Sequence, residues 1–188
     1  MFTLDDVTLR PLEFADIDAL YRWHTDTELA MWAGWERPSS RARYQRKYER
    51  RITEPEDDLI MLGVTLEGQL VGYVQLALID RIERRAAVGI VIGEKALWGR
   101  GVGAKALRIL LDYAFTDLCL ERIFAEVYGF NVRSQRLMTR VGFQSEGVLR
   151  KHEMHMGQRQ DMYVYGMLRD EFYTTYPTLF PLPTEPSA

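Results

Sequence analysis

The run Trp98-Gly99-Arg100-Gly101-Val102-Gly103-Ala104 constrains this chain more than any other stretch. Three glycines at alternate positions bare the backbone, so its N–H groups can converge on an anion. Behind them Leu107, Leu110, Leu111, Ala114 and Leu118 recur at helical spacing and give a helix one apolar face. The amino end of that helix meets the loop, where unpaired donors and a partial positive charge suit phosphate. A tight turn with close packing would use the same glycines, so the loop alone leaves both readings open.

Context narrows the ligand. A nucleoside-triphosphate loop ends in Gly-Lys-Ser/Thr, and Gly103-Ala104-Lys105-Ala106 lacks the hydroxyl that holds magnesium. Gly101 to Ala106 matches the letters GxGxxA of a dinucleotide fingerprint, with Glu121 at the acidic spacing. That acid should close the second strand of the unit, yet Glu121 precedes the strand Ile123–Val127. A dinucleotide-binding module is therefore a minor alternative.

The 188 residues suffice for one domain over 1–176, followed by a tail, 177–188, that holds four prolines and reads as loose surface chain. A net charge of −3 argues against nucleic acid as the main partner. The start Met1–Asp6 has neither a basic end nor an apolar core, and no apolar run is long enough to span a bilayer. These features predict a cytoplasmic protein with no membrane partner. The single Cys119 adjoins an apolar helix end and reads as a core thiol.

In chain order, Val7–Arg10 reads as a strand and 16–24 as a helix. Thr25 and Glu28 have the spacing of a capping box for a second helix. Trp32 and Trp35, beside Gly34 and Pro38, could wall an acceptor site or pack on the core. Ser39 caps a third helix whose basic residues, Arg41 to Arg51, read as a solvated face. Residues 54–58 form an acidic turn. From Leu59 the period becomes that of strands: 59–66, 69–78 and 86–92 make an antiparallel meander. After the glycine-loop helix come a strand at 123–128, a helix at 133–140, a hairpin of 148–156 with 161–167, and a helix at 168–176. A meander followed by helices predicts an α+β fold, not a run of parallel βαβ units.

Four stretches in this order resemble the GCN5-related N-acetyltransferases (GNAT), in the branch of ribosomal-protein N-terminal and spermidine acetyltransferases. They are Leu9-Arg10-Pro11-Leu12; Gly89-Ile90-Val91-Ile92-Gly93-Glu94 leading to the glycine loop; Asn131-Val132-Arg133-Ser134 ending at Val141-Gly142-Phe143; and Asp161 to Phe172. The resemblance implies a mixed, mostly antiparallel central sheet flanked by helices, with a splayed strand pair holding acetyl-CoA. Trp98, Arg100, Gly101, Val102, Gly103 and Ala104 would grip the pyrophosphate. Ile90, Val91 and Ile92 would offer the strand edge that pairs with the pantetheine arm, one of their amides polarising the thioester carbonyl. Asn131 would reach that arm, or cap the following helix, or both.

The tyrosine that many members use to protonate the departing thiolate is replaced here by Met138. Ser134 resembles the serine given this role in the N-terminal branch; Tyr128 is a second candidate, and a thiol with pKa near ~8.5 can leave unaided. Glu153 resembles the general base, with His155 or an ordered water as the fallback. Strand alternation puts Lys151, Glu153 and His155 on one face and His152 on the other, which leaves no two-histidine metal site. The acceptor would be a primary amine, a peptide N-terminus or a small amine, without metal. Glu36, Asp57 and Asp58 favour a cationic one. A non-catalytic acyl-CoA-binding protein is the main alternative, and a homodimer is implied by the resemblance alone.

Overall fold

Alternating residues of β6 (Arg122–Tyr128) set the layers: Ile123, Ala125 and Val127 are buried, while Phe124, Glu126 and Tyr128 between them turn to the opposite face. The computed structural model describes residues 2–34, 39–54 and 56–179. Its other strands are β1 (Phe2–Leu4), β2 (Val7–Pro11), β3 (Leu59–Leu66), β4 (Gln69–Asp80), β5 (Arg85–Ile92), β7 (Gln144–His155) and β8 (Gln158–Leu168). They form one sheet in the order β1-β2-β3-β4-β5-β6-β8-β7, antiparallel throughout except where β5 meets β6. That exception positions the site.

The helices are α1 (Ile17–His24), α2 (Thr27–Ala33), α3 (Arg41–Thr53), α4 (Val102–Thr116), α5 (Val132–Val141) and α6 (Arg169–Thr175). One core packs α4, α5 and α6 on the sheet around Leu107, Leu110, Phe115, Ile123 and Phe172. A second core gathers Leu20, Trp23, Leu29, Tyr44, Tyr48 and Tyr73 on the other face. The sheet thus separates α4–α6 from α1–α3.

Arg10 and the buried Asp16 lock α1 to β2 by a bidentate pair of 2.7 and 2.8 Å. Gly93 ends β5 against the Trp23 ring, where an added Cβ would lie 2.1 Å from a ring atom. Trp23 is 2% exposed and cannot move aside, so only glycine fits.

Several local expectations are corrected. Asp26, not Thr25, caps α2 by accepting from the Leu29 amide, and Ser40 rather than Ser39 caps α3. Cys119 is exposed, at φ +53° beyond the end of α4, rather than in the core. The β7–β8 register slips between Leu149 and Glu153, with Lys151 at φ +53°, so alternation does not run from Lys151 to Glu153. The start of the tail is not loose: the Leu179 amide donates to buried Asp112 at 3.0 Å, which also accepts from Tyr173. Trp35, Glu36, Pro38 and residues 180–188 lie outside the described residues.

Candidate active site

β5 and β6 pair in parallel through only three positions, Arg85↔Arg122, Ala86↔Ile123 and Ala87↔Phe124. Beyond Ala87, β5 stays with β4 up to Ile92 and β6 stays with β8 up to Tyr128, so the two strands part. The Gly93 amide donates to the Val71 carbonyl at 2.9 Å. By antiparallel alternation the backbone groups of Val91 and Gly89 then also face β4, and those of Val88, Ile90 and Ile92 face the gap. The Trp98 indole confirms that direction, donating to the Ile92 carbonyl at 2.7 Å.

At the far end of the gap, Gly101 takes φ +86° and starts α4 without a side-chain cap. The amides of Gly101, Val102 and Gly103 have no hydrogen-bond partner among the described residues, whereas Ala104 N donates to Gly101 O at 3.0 Å. Such a cluster of free donors on a helix amino end fits the diphosphate of acetyl-CoA. Lys105 does not contribute, since it is held by Asp5 and Asp6 at 3.2 and 2.6 Å.

A cleft of about 470 Å³ runs from this helix end along β5. Trp98, Gly101, Gly103, Ala104, Ile90 and Ile92 line it, as do Val91, Asn131 and Ser134. Arg100 is exposed outside the lining, and Val102 is buried in the core, offering only backbone. One face of α5 adds Arg133, Arg136 and Arg140. Arg133 lies between two indoles, 3.6 Å from the Trp98 ring centroid and 5.2 Å from that of Trp32. Burial pulls its pKa down, partly countered by Glu28.

A second, larger cleft of about 910 Å³ opens on the α1–α3 side of the same gap. The two share Trp32, Ala33, Ile90, Val91, Asn131 and Ser134 as a common wall. Its remaining lining includes His24, Tyr44, Tyr48, Tyr73, Glu126 and Tyr128. The Asn131 side chain is occupied structurally, accepting from Ser134 N and donating to the Trp32 carbonyl, both at 3.1 Å. It therefore caps α5 and ties α2 to it while facing both clefts.

A family description of the acetyltransferase (GNAT) domain matches residues 6–144. The chain belongs to the GNAT acetyltransferase family. As a GNAT N-acetyltransferase it uses acetyl-CoA. It is 30% identical to the uncharacterized N-acetyltransferase p20 of Bacillus licheniformis over 170 residues, covering 88% of this chain and 94% of p20. YdaF of Bacillus subtilis, which carries the provisional name of a ribosomal N-acetyltransferase, is 30% identical over 180 residues, 92% of this chain and 98% of YdaF. Among solved structures, the spermidine N-acetyltransferase of Vibrio cholerae in complex with CoA and spermine superposes with a TM-score of 0.82 at 25% identity. That match covers 90% of this GNAT chain and 99% of the other.

Of the catalytic candidates, Ser134 stands where the clefts meet, and Tyr128 lines the larger one. Burial raises the Tyr128 pKa, and the nearby charge of Glu153 adds to the rise. Glu153 itself lines neither cleft; its carboxylate lies 3.7 Å from His152. His155 packs against the rings of Tyr128 and Phe130, 5.0 and 5.1 Å away. Asp57 and Asp58 line neither cleft, and Glu56 pairs with Arg51 at 3.2 Å. Sequence reasoning missed Glu126, the one carboxylate among the described residues lining the larger cleft. Period-two burial along 123–127 carried the signal for which way it points.

Proposed function

We propose that this enzyme transfers the acetyl group of acetyl-CoA directly to a primary amine that enters through the larger cleft. The observation that carries this reading is the meeting of two clefts at Ile90 and Ser134, beside a strand edge with unpaired amides. Pantetheine would extend β5 in place of the missing stretch of β6. The Ile90 amide is the donor for the thioester carbonyl, a stabilisation commonly worth ~3 kcal/mol in the transition state.

The acceptor nitrogen must lose a proton before its lone pair can attack the carbonyl carbon. In this reading Glu126 takes that proton, since it is the carboxylate that lines the cleft, whereas Glu153, which the resemblance favours, lines neither cleft. As the carbon–sulfur bond breaks, the nitrogen sheds its second proton, which passes through Ser134 Oγ or water to the departing thiolate. No covalent enzyme intermediate forms.

Thiol release from acetyl-CoA, measured with a panel of amines, tests the reading. Glu126→Gln should lower kcat by at least ~10²-fold, the usual worth of a positioned base. Ser134→Ala should cost less, because a thiol with pKa near about 8.5 leaves in part unaided. If Glu153→Gln abolishes turnover and Glu126→Gln does not, the base is Glu153. If no amine accelerates thiol release while CoA binds, the protein is a CoA-binding module and not a transferase. The homodimer that the resemblance implies is tested by light scattering on the purified protein.

A further inference from the structure

The relatives' names point to different amines, so the acceptor must be sought in this chain's own larger cleft. Its lining is basic. Arg43, Lys47 and Arg51 lie four residues apart on α3, a spacing that puts them on one helix face, and all three border the cleft. His24 joins them from α1, with its pKa lowered by burial and further by the charge of Lys47. Against these cations the described lining residues supply one carboxylate, Glu126. Glu56 offsets Arg51 in part, but no carboxylate among the described residues comes within ion-pair distance of Arg43. Tyr44 and Tyr48, buried beneath the row, fix the side of α3 that faces the cleft.

Such a wall repels a polyamine and attracts an anion. The cleft therefore has two poles: a carboxylate beside the parted strands, where the amine must react, and a cationic row on α3. We propose that the acceptor is a small primary amine that also carries an anionic group, a carboxylate or a phosphate. Its ammonium faces Glu126, and its anionic end lies along Arg43 and Lys47. This rests on the transferase reading above and specifies its acceptor.

Matched acceptors test it in the thiol-release assay: glucosamine 6-phosphate against glucosamine, 4-aminobutyrate against butylamine, and spermidine. At low salt, kcat/KM for at least one member that carries an anionic group should exceed that of its partner without one by about tenfold or more, and spermidine should be the poorest. Whichever pair shows the effect tells phosphate from carboxylate. In Arg43→Gln/Lys47→Gln the ratio within that pair should fall toward one. Should the variant fail to fold, 0.5 M KCl applied to the unmodified protein must shrink the same ratio, because exposed charges are screened. Preference for spermidine, for the members without an anionic group or for an N-terminal peptide without acidic residues would overturn the inference and leave the transferase reading intact. A ratio unmoved by both variant and salt would also overturn it. No thiol release with any amine, with CoA still binding, would remove both.

Discussion

Asp16 shows how one residue near the start of the chain sets the frame of the site. Burial alone would raise its pKa, but the bidentate bond from Arg10 and the Glu13 amide outweigh that and hold it below the usual carboxylate value. A depressed folded pKa gives stability that is complete above the unfolded value near ~3.9 and lost as pH falls through the folded one. Asp16→Asn should therefore cost about 2–3 kcal/mol at pH 7, because the Arg10 charge keeps its burial but loses its partner. Urea midpoints should show that gap closing below pH ~4; a gap constant with pH would refute the account. At this scale the cap role of Asn131 was legible, since an asparagine just before a helical stretch reads as a cap, whereas Ser134 was singled out by the family resemblance alone. Glu126 was not, because its importance depends on β6 lying beside β5, a pairing between segments far apart in sequence.

At the level of elements, α4 is the clearest case of sequence dictating structure: a glycine loop, then an apolar helical period, then a buried helix. Gly101 is the critical joint, because φ +86° is open to glycine and strained for a β-branched residue. A Cβ added at Gly101 has no neighbour within 4 Å, so the first cost of Gly101→Val is the backbone's. We expect CoA affinity to fall about tenfold, from the ~1–2 kcal/mol of left-handed strain, as read by calorimetry. Unchanged affinity would mean that these amides do not hold the diphosphate. Helix α3 teaches the converse. Its cations read as a solvated face because tertiary docking decides which side of a helix is covered. Tyr44 and Tyr48, one turn apart and both buried, seat the helix, while the adjoining Arg43 and Lys47 stay exposed, as read, and border the larger cleft. The hairpin of β7 and β8 was legible as such, but its bulge was not, since no glycine marks Lys151 at φ +53°.

Across the whole molecule, the β3-β4-β5 and β7-β8 neighbours follow from the meander and the final hairpin, while the gap between β5 and β6 does not. Nothing in either strand's composition says where parallel pairing stops; the divergence is a property of the assembled sheet. Acetyl-CoA bound in that gap should protect the Ile90 and Ile92 amides from hydrogen exchange, with little change at Gly89 and Val91, which already face β4. Saturation at 100 times Kd should add about 2.7 kcal/mol to global stability. Equal protection of all four amides would contradict the assigned strand register. On the proposed reading, the common wall of Trp32, Ala33, Ile90, Val91, Asn131 and Ser134 has one further consequence. Each reactant has its own doorway and they touch only at the threshold, so neither has to depart before the other arrives. Initial-velocity lines should accordingly intersect rather than run parallel, the kinetic trace of a molecule entered from both sides.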